Sequence, residues 1–520
     1  MRKTLNLTLG LLAAGVAAAP FAQAHAASCE SLVGKRLRDG VVIAAERLAT
    51  GQKLSLVGPL AAFPIAPVAA PACRVQARLS PASGSEIKVE VWLPETWNGK
   101  FVGNGGGGFS GGLDTAAIML NPLAAKGYAS AVTDVGHPSS DGAKWAYRQP
   151  AKLEDYAHRG NHVTAQFSKA LAAAYYAKPV QRAYFQGCSN GGRDALMEAW
   201  RYPGDYDGIV AGAPAAPWTR VMSAFAWNMR ALAGPPAANL SPAKLKRVSD
   251  AVMARCDALD GVKDGVPEDP RACRFDPGEL QCKAGQTADC LDAADVRAVR
   301  AIYQGPRTRD GRQVSAGWPV GGEAVEWTNW ITGPNPSERQ FATEYFRWMV
   351  YGDESWSLDR FDLDRDFAQA NRRTGAMLNS DNPDLRPFLR RGGKLILYHG
   401  WADAALPPQN TIAYYEAVRR TAPAAAGQVR LFMAPGMAHC FGGPGPNQFD
   451  MLTALDRWVE ARAAPERIIA SKPDNALAAL AGLPTKSLRT RPLCAWPQQA
   501  RWNGTGSTDD AANFRCEARK

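Results

Sequence analysis

Short strand-like apolar runs alternate with longer helix-like stretches in two separate regions of the chain. This alternation is typical of a mostly parallel sheet covered by helices. The pattern therefore predicts an α/β fold, with strands that include Lys88–Leu93, Ala129–Thr133, Ala183–Phe185, Gly208–Ala211, Lys394–Tyr398 and Val429–Met433.

The pattern changes between about residues 215 and 390, where tryptophan, aspartate and proline are frequent and four of the ten cysteines lie. A chain of 520 residues is too long for one compact core of ordinary size. We expect residues 28–214 and 391–520 to form one core in two parts, with residues 215–390 inserted as a large lid domain. No internal repeat of fixed period is visible.

The first 27 residues have the three parts of an export signal. Arg2 and Lys3 give a positive start, Leu5–Ala19 is largely apolar, and small residues follow up to Ala27. A membrane anchor is the alternative, but it requires about 20 strongly apolar residues. We expect a cleaved signal peptide at 1–27, a periplasmic or secreted protein, and no membrane partner.

Export changes how the cysteines are interpreted, because thiols pair in oxidising compartments. An even number, all after the signal, predicts five disulfides with none left over. A zinc site is the alternative, but Cys282 and Cys290 have neither short spacing nor nearby histidines. The ten are Cys29, Cys73, Cys188, Cys256, Cys273, Cys282, Cys290, Cys440, Cys494 and Cys516.

The formal net charge is +11, yet the basic residues are scattered and no run of five or more occurs. A nucleic-acid-binding protein usually concentrates such charge on one face. We therefore expect a solvated basic surface and no nucleic-acid partner.

A Gly-x-Ser-x-Gly motif, Gly187–Gly191, lies between a predicted strand and a predicted helix. This is the nucleophile elbow of the α/β-hydrolase fold, in which the glycines permit a sharp turn that projects the serine. Ser189 is the predicted nucleophile, and the expected fold is an α/β-hydrolase core with the inserted lid.

A serine nucleophile needs a histidine base and a carboxylate, and in this fold the chain order is Ser, then acid, then His. Asp403 and His439 each follow a predicted strand downstream of Ser189 and give that order. His399 is the competing base, but it precedes Asp403; its other predicted roles are to orient the loop or touch substrate. Asp134 lies before the serine and is interpreted as structural.

Backbone amides must also stabilise the oxyanion of the tetrahedral intermediate. Asn190, the residue after the nucleophile, is one predicted donor, and the glycine-rich stretch Phe101–Gly108 supplies the other, at Gly108. A phosphate-binding loop is excluded because no Gly-Lys-Ser/Thr follows. No organic cofactor is implied.

Two cysteines flank the predicted triad, since Cys188 precedes Ser189 and Cys440 follows His439. A disulfide between them would close a loop of roughly 250 residues and contribute ~5 kcal/mol in the chain-entropy model.

These paired Cys-Ser and His-Cys steps, with Trp97–Phe101, Tyr206–Pro214 and Pro435–Cys440, resemble the tannase and feruloyl esterase family over nearly the whole mature chain. The resemblance implies the disulfides Cys29–Cys73, Cys188–Cys440, Cys256–Cys273, Cys282–Cys290 and Cys494–Cys516.

The resemblance also implies a structural calcium site in the lid, within residues 256–266. Alternating carboxylates and glycines suit a hard cation that takes oxygen ligands, although the EF-hand spacing is absent. A solvated acidic turn is the alternative. The implied ligands are Asp257, Asp260 and Asp264 through side chains, and Val262 and Val266 through carbonyls.

Substrate choice is expected to reside in the lid, where an aromatic slot is predicted from Trp327, Trp330, Phe346 and Trp348. By resemblance, Arg339 lies near the position where terephthalate monoester hydrolases of this family carry an arginine that binds the free carboxylate of the substrate. Thr343 and Glu344 depart from that pattern.

The leading hypothesis is a serine carboxylic ester hydrolase of feruloyl esterase type, which acts on small aromatic esters, of hydroxycinnamic or gallic acids, through an acyl-enzyme on Ser189. Within the same class, the alternatives are a tannase or an enzyme like mono(2-hydroxyethyl) terephthalate hydrolase. From another class, the alternative is an inactive polyphenol-binding protein.

Overall fold

The structure is a computed structural model that describes residues 28–56 and 60–519, so the predicted signal peptide lies outside the described residues. Its strands are β1 Arg36–Leu37, β2 Gly40–Leu48, β3 Ala72–Leu79, β4 Ile87–Pro94, β5 Lys100–Asn104, β6 Ala129–Thr133, β7 Arg182–Cys188, β8 Gly208–Gly212, β9 Lys394–Gly400, β10 Val429–Ala434, β11 Arg467–Pro473, β12 Ser487–Cys494, β13 Gln498–Trp502 and β14 Phe514–Ala518.

Strands β1 to β10 form one sheet in the order β1-β2-β3-β4-β6-β5-β7-β8-β9-β10. The half from β6 to β10 is parallel, and β1 to β4 extend it with antiparallel pairing, including β4 on β6. Two small antiparallel pairs, β11-β12 and β13-β14, lie near the C-terminus. The six predicted strands all fall within β4 and β6 to β10, which confirms the α/β fold.

The α-helices are α1 Ala116–Ala125, α2 Pro150–Glu154, α3 Gly160–Tyr176, α4 Asn190–Arg201, α5 Trp218–Leu232, α6 Pro242–Cys256, α7 Ala293–Gln304, α8 Glu323–Trp327, α9 Ser337–Glu344, α10 Leu363–Ala370, α11 Ala376–Leu378, α12 Arg386–Arg390, α13 Pro408–Thr421, α14 Met451–Ala461 and α15 Ala476–Leu480. In the part of the chain that is described, no helix has the length and apolar character needed to cross a membrane.

Both faces of the parallel half are buried, because helices cover each of them. Consecutive strand residues point to opposite sides and therefore pack into different clusters. In β7, Phe185 packs into the cluster that contains α3, α4 and α13, while Tyr184 packs into the cluster that contains α14. Ile209 and Val210 of β8 divide in the same way. The sheet is therefore a rigid central layer, and its strand ends can position side chains accurately.

Strands β8 and β9 are neighbours in the sheet, but along the chain they are separated by helices α5 to α12. We call these intervening residues, 213–393, the inserted segment. It has its own hydrophobic core, which includes Trp218, Phe225 and Phe346 and also takes in Trp145 and Tyr156 from before β7. The assignment of residues 215–390 as a lid domain stays a prediction.

Candidate active site

Ser189 stands at the tight turn between β7 and α4, with φ 64° and ψ −124°. Residues other than glycine rarely adopt positive φ, so such strain is typical of functional turns. A Cβ on Gly187 would lie 2.4 Å from the carbonyl oxygen of Gly191, and one on Gly191 would lie 2.8 Å from that of Gly106. The two glycines of the motif are thus required for the turn.

Asp403 and His439 follow the neighbouring parallel strands β9 and β10, so both lie at the same edge of the sheet. His439 Nδ1 is 2.8 Å from Asp403 Oδ2. The other carboxylate oxygen, Oδ1, accepts hydrogen bonds of 2.8 Å from the amides of Ala405 and Leu406. The acid is therefore held in place from both sides.

The two groups shift each other's pKa. Burial alone would raise the pKa of Asp403, but the charge of His439 and hydrogen bonds from His399 and His439 hold it well below its usual range. Burial lowers the pKa of His439, yet the charge and hydrogen bond of Asp403 outweigh it, so the net shift is upward. A raised pKa makes the imidazole a stronger base.

His399 does not reach the cavity, which corrects its predicted contact with substrate. It is fully buried, with Nδ1 2.8 Å from Thr411 Oγ1 and Nε2 3.0 Å from Asp403 Oδ2 and 3.1 Å from the Leu406 carbonyl. Because both neighbours of Nε2 are acceptors, Nε2 carries the proton and Nδ1 accepts from the hydroxyl. His399 thus orients the acid. Asp134 instead binds two backbone amides.

Cys188 and Cys440 form a disulfide with a Cα–Cα distance of 6.0 Å, and this bond joins the turn of Ser189 to the loop of His439. Ser189 and His439 both line one cavity of about 690 Å³. The other four disulfides are also those that the resemblance implies: Cys29–Cys73, Cys256–Cys273, Cys282–Cys290 and Cys494–Cys516.

The two predicted oxyanion donors lie beside Ser189 and share one supporting residue, Tyr156. Its hydroxyl is 2.8 Å from the carbonyl oxygen of Gly108 and 3.1 Å from Asn190 Oδ1. Arg193 Nε also donates to Asn190 Oδ1, at 2.7 Å. Sequence reasoning missed Tyr156, whose contacts come from the fold rather than from a motif.

A narrow apolar slot of about 50 Å³ opens beside Ser189. Trp330 and Phe341 line it with near-parallel rings whose centroids are 6.1 Å apart, and α5 contributes Trp218 and Phe225. Trp330 also packs edge-on against His439, at 5.1 Å between centroids.

Only Trp330 of the four aromatic residues predicted for the slot lines it. Trp327, Phe346 and Trp348 are buried in the core of the inserted segment, where large apolar side chains contribute most to stability. Arg339 is exposed on α9 and lines neither cavity. Phe341, two residues further along α9, faces the slot, because residues two apart on a helix point in different directions.

The predicted calcium loop has the ligand types for a hard cation. Asp257 is buried, and the carbonyls of Val262 and Val266 accept no hydrogen bond from any residue that the structure describes. Asp260 Oδ1 and Oδ2 accept the amides of Val262 and Glu268. Burial raises the pKa of Asp260, and the charge of Asp264 raises it further. Unpartnered carbonyls beside acidic side chains fit a calcium ion.

The same loop is partly compensated without an ion. Asp264 Oδ2 pairs with Arg491 at 2.5 Å and with Arg489 at 3.2 Å. Within residues 28–56 and 60–519, His162, Glu198 and Asp205 are the set whose ligand atoms lie within 4.8 Å of one another, and the three loop aspartates are not such a set. Ligands on opposite sides of calcium are about 5 Å apart, so wider spacing still fits.

Glu326, the second residue that sequence reasoning missed, contacts the histidine loop from α8. Its Oε2 accepts the backbone N–H of His439 at 2.9 Å. The two residues are 113 positions apart, so no local pattern could have paired them.

A nucleophile elbow on a parallel sheet, with an Asp–His pair beyond the next strands, defines the class of α/β-hydrolase-type proteins. The family model "Tannase and feruloyl esterase" matches residues 73–517. The chain belongs to the tannase and feruloyl esterase family, and it is a carboxylic ester hydrolase.

The chain is 38% identical to an uncharacterised esterase of Xanthomonas campestris, over 85% of this chain and 84% of that protein. It is 34% identical to the mono(2-hydroxyethyl) terephthalate hydrolase of Piscinibacter sakaiensis, over 83% and 82%. The crystal structure of feruloyl esterase B from Aspergillus oryzae superimposes with a TM-score of 0.84 at 27% identity, over 93% of this chain and 98% of that one.

Proposed function

We propose that the protein is a serine esterase of feruloyl esterase type that hydrolyses esters of aromatic acids whose acyl group carries no second carboxylate. Ser189 attacks the ester carbonyl, His439 takes its proton and returns it to the leaving alcohol, and Asp403 holds the imidazole. The amides of Asn190 and Gly108 stabilise the oxyanion. Water then hydrolyses the acyl-enzyme. The observation that carries this proposal is the Asp403–His439 pair beside the same cavity as the strained Ser189.

The apolar slot supports an aromatic acyl group. Its described lining holds no charged side chain, and it includes the rings of Trp330 and Phe341, against which a flat acyl group can pack. A free carboxylate in this slot would be desolvated beside no cationic side chain. The indole N–H of Trp218, which has no hydrogen-bond partner among the described residues, could serve one of the three hydroxyls of gallate but not all of them. These features favour hydroxycinnamate over gallate and over terephthalate monoesters, and the two latter activities remain the alternatives.

A panel of purified substrates tests this preference. We expect kcat/KM for methyl ferulate to exceed that for methyl gallate by about tenfold and that for a terephthalate monoester by about 100-fold. Chlorogenate, with a bulky alcohol, should be accepted because the wider cavity is open beside the slot. The reverse ranking would contradict the acyl assignment.

Arg339→Ala provides the matched variant for the same panel. Because Arg339 is exposed and lines neither cavity, we expect less than about a twofold change in kcat/KM for the terephthalate monoester. A loss of tenfold or more, confined to that substrate, would mean that Arg339 binds its carboxylate.

We also propose that the protein is exported and that the 256–266 loop binds a structural calcium ion. Five disulfides support export, because such bonds persist in oxidising compartments. Asp257, Asp260 and Asp264 would hold the ion, with the Val262 and Val266 carbonyls. Bound there, calcium neutralises clustered carboxylates and supplies no chemistry to the ester.

Removal of calcium should lower stability rather than catalysis. A cation that binds only the folded state stabilises it by mass action, by ~3 kcal/mol at 100 times its Kd. We expect EDTA or Asp260→Ala to lower Tm by several degrees, while activity at low temperature survives in the folded fraction. Asp359→Ala, at an exposed carboxylate in the same segment, is the control. Immediate loss of activity on chelation at unchanged Tm, with recovery on adding calcium, would place the ion in the catalytic site.

A further inference from the structure

We propose that Glu326 is a positioning residue through which the inserted segment fixes the His439 loop and places a negative charge beside the imidazole of His439. This role rests on the proposed function, because it matters only if His439 is the catalytic base. The structure provides three independent observations for it: a backbone contact, a shared helix face and a close approach to the acid loop.

The first observation is the contact itself. The backbone N–H of His439 donates to Glu326 Oε2 at 2.9 Å. A hydrogen bond from an amide to a carboxylate is about twice as strong as one between neutral groups. His439 is followed by Cys440, which has φ 66°, so this loop is strained and needs external restraint.

The second observation is that Glu326 and Trp330 meet the same histidine. They are four residues apart on consecutive helical turns, so their side chains lie on one face. Glu326 contacts the backbone of His439, and the Trp330 ring packs edge-on against its imidazole. One short stretch of the inserted segment thus restrains both parts of the residue.

The third observation is the close approach of α8 to the acid loop. A Cβ on Gly322, which precedes α8, would lie 3.2 Å from the carbonyl oxygen of Ala402. The indole N–H of Trp318 donates to the carbonyl of Ala404 at 2.8 Å. The segment that carries Glu326 therefore packs on the loop of Asp403 as well as on that of His439.

A carboxylate at this place also acts through its charge. The titratable groups that face His439 are Asp403, with His399 behind it, and Glu326; Asp114 and Asp450 line the wider cavity. The charge of Glu326 adds to that of Asp403 in raising the pKa of His439.

The charge on Glu326 depends on its own pKa. Burial raises the pKa of Glu326, and the amide of His439 partly offsets that rise. Since protonated His439 cannot act as a base, any loss of negative charge beside it extends activity to lower pH.

Two substitutions separate charge from contact. Glu326→Gln keeps an acceptor for the His439 amide but removes the charge, so we expect the acid limb of kcat/KM to move to lower pH by about 0.5 to 1 unit. Glu326→Ala also removes the acceptor, and we expect kcat to fall about tenfold or more at every pH with KM little changed.

Glu323→Gln is the matched control, since it removes another buried carboxylate from the same helix. The carboxylate of Glu323 accepts from Tyr303 and from the Gly321 amide rather than from His439. The acid limb of this variant should stay at the wild-type pH. An unshifted limb in Glu326→Gln, or an equal shift in Glu323→Gln, would overturn the proposal.

The pKa of His439 can also be measured without turnover, by NMR titration of protein labelled with 13Cε1-histidine. His439→Ala identifies the resonance. We expect the titration midpoint to be lower in Glu326→Gln than in the wild type and unchanged in Glu323→Gln. An inactive wild-type protein would refute the serine mechanism, whereas an active one with an unshifted midpoint would refute the role of Glu326 alone.

Discussion

Replacement of Ser189 or His439 by alanine is expected to lower ester turnover by a factor of about 10⁴ to 10⁶, because members of a triad act as one unit. The double variant should be little worse than either single one, for the same reason. Neither side chain supports the core, so Tm should stay within a few degrees of the wild type.

The comparison for this experiment is Ser80→Ala, at an exposed serine that follows β3, four strand positions from β7 in the sheet, and that lines neither cavity. We expect it to retain wild-type turnover. Substantial turnover in Ser189→Ala, at a level that contaminating wild-type protein cannot explain, would contradict the assignment of the nucleophile.

Removal of the disulfide beside the site is expected to have the second largest effect. Cys188 and Cys440 are 252 residues apart, and closing so long a loop in the unfolded chain is worth about 5 kcal/mol in the chain-entropy model. The bond also joins the turn of Ser189 to the loop of His439. The Cys188→Ala, Cys440→Ala variant should therefore lose both stability and activity.

The control is the Cys282–Cys290 pair, which spans 8 residues in the inserted segment. The same model gives it only about 2.5 kcal/mol. Its double alanine variant should keep the kcat of the wild type, with a smaller drop in Tm. Two free thiols at 188 and 440 in fully active enzyme, found by mass spectrometry, would refute the role of the bond.

Five strands of the parallel half, β6 to β10, could be predicted from the sequence because they are continuous apolar runs. The sixth, β5, was assigned to the glycine-rich loop that begins within it. The antiparallel strands β2 and β3 were not predicted. In β3, Ala72–Leu79, apolar residues alternate with arginine and glutamine, and such a short alternation is a weak signal.

The candidate site was predictable where a motif carries it, and less so where tertiary contacts decide. The elbow motif predicts Ser189, and the order nucleophile, acid, base along the chain predicts Asp403 and His439. Tyr156 and Glu326 have no motif, because their partners are distant in sequence. The face of α9 that meets the slot depends on packing against α5, so a sequence alone could not choose between Arg339 and Phe341.

Labelling with a fluorophosphonate tests the central claim most directly, since the probe reacts only with an activated serine. Peptide mapping of the inhibited protein should find one adduct per chain, on Ser189, with activity lost in proportion to labelling. Ser189→Ala and His439→Ala should not be labelled. Full activity after exposure to the probe, or an adduct on another serine that accounts for the inhibition, would contradict the account.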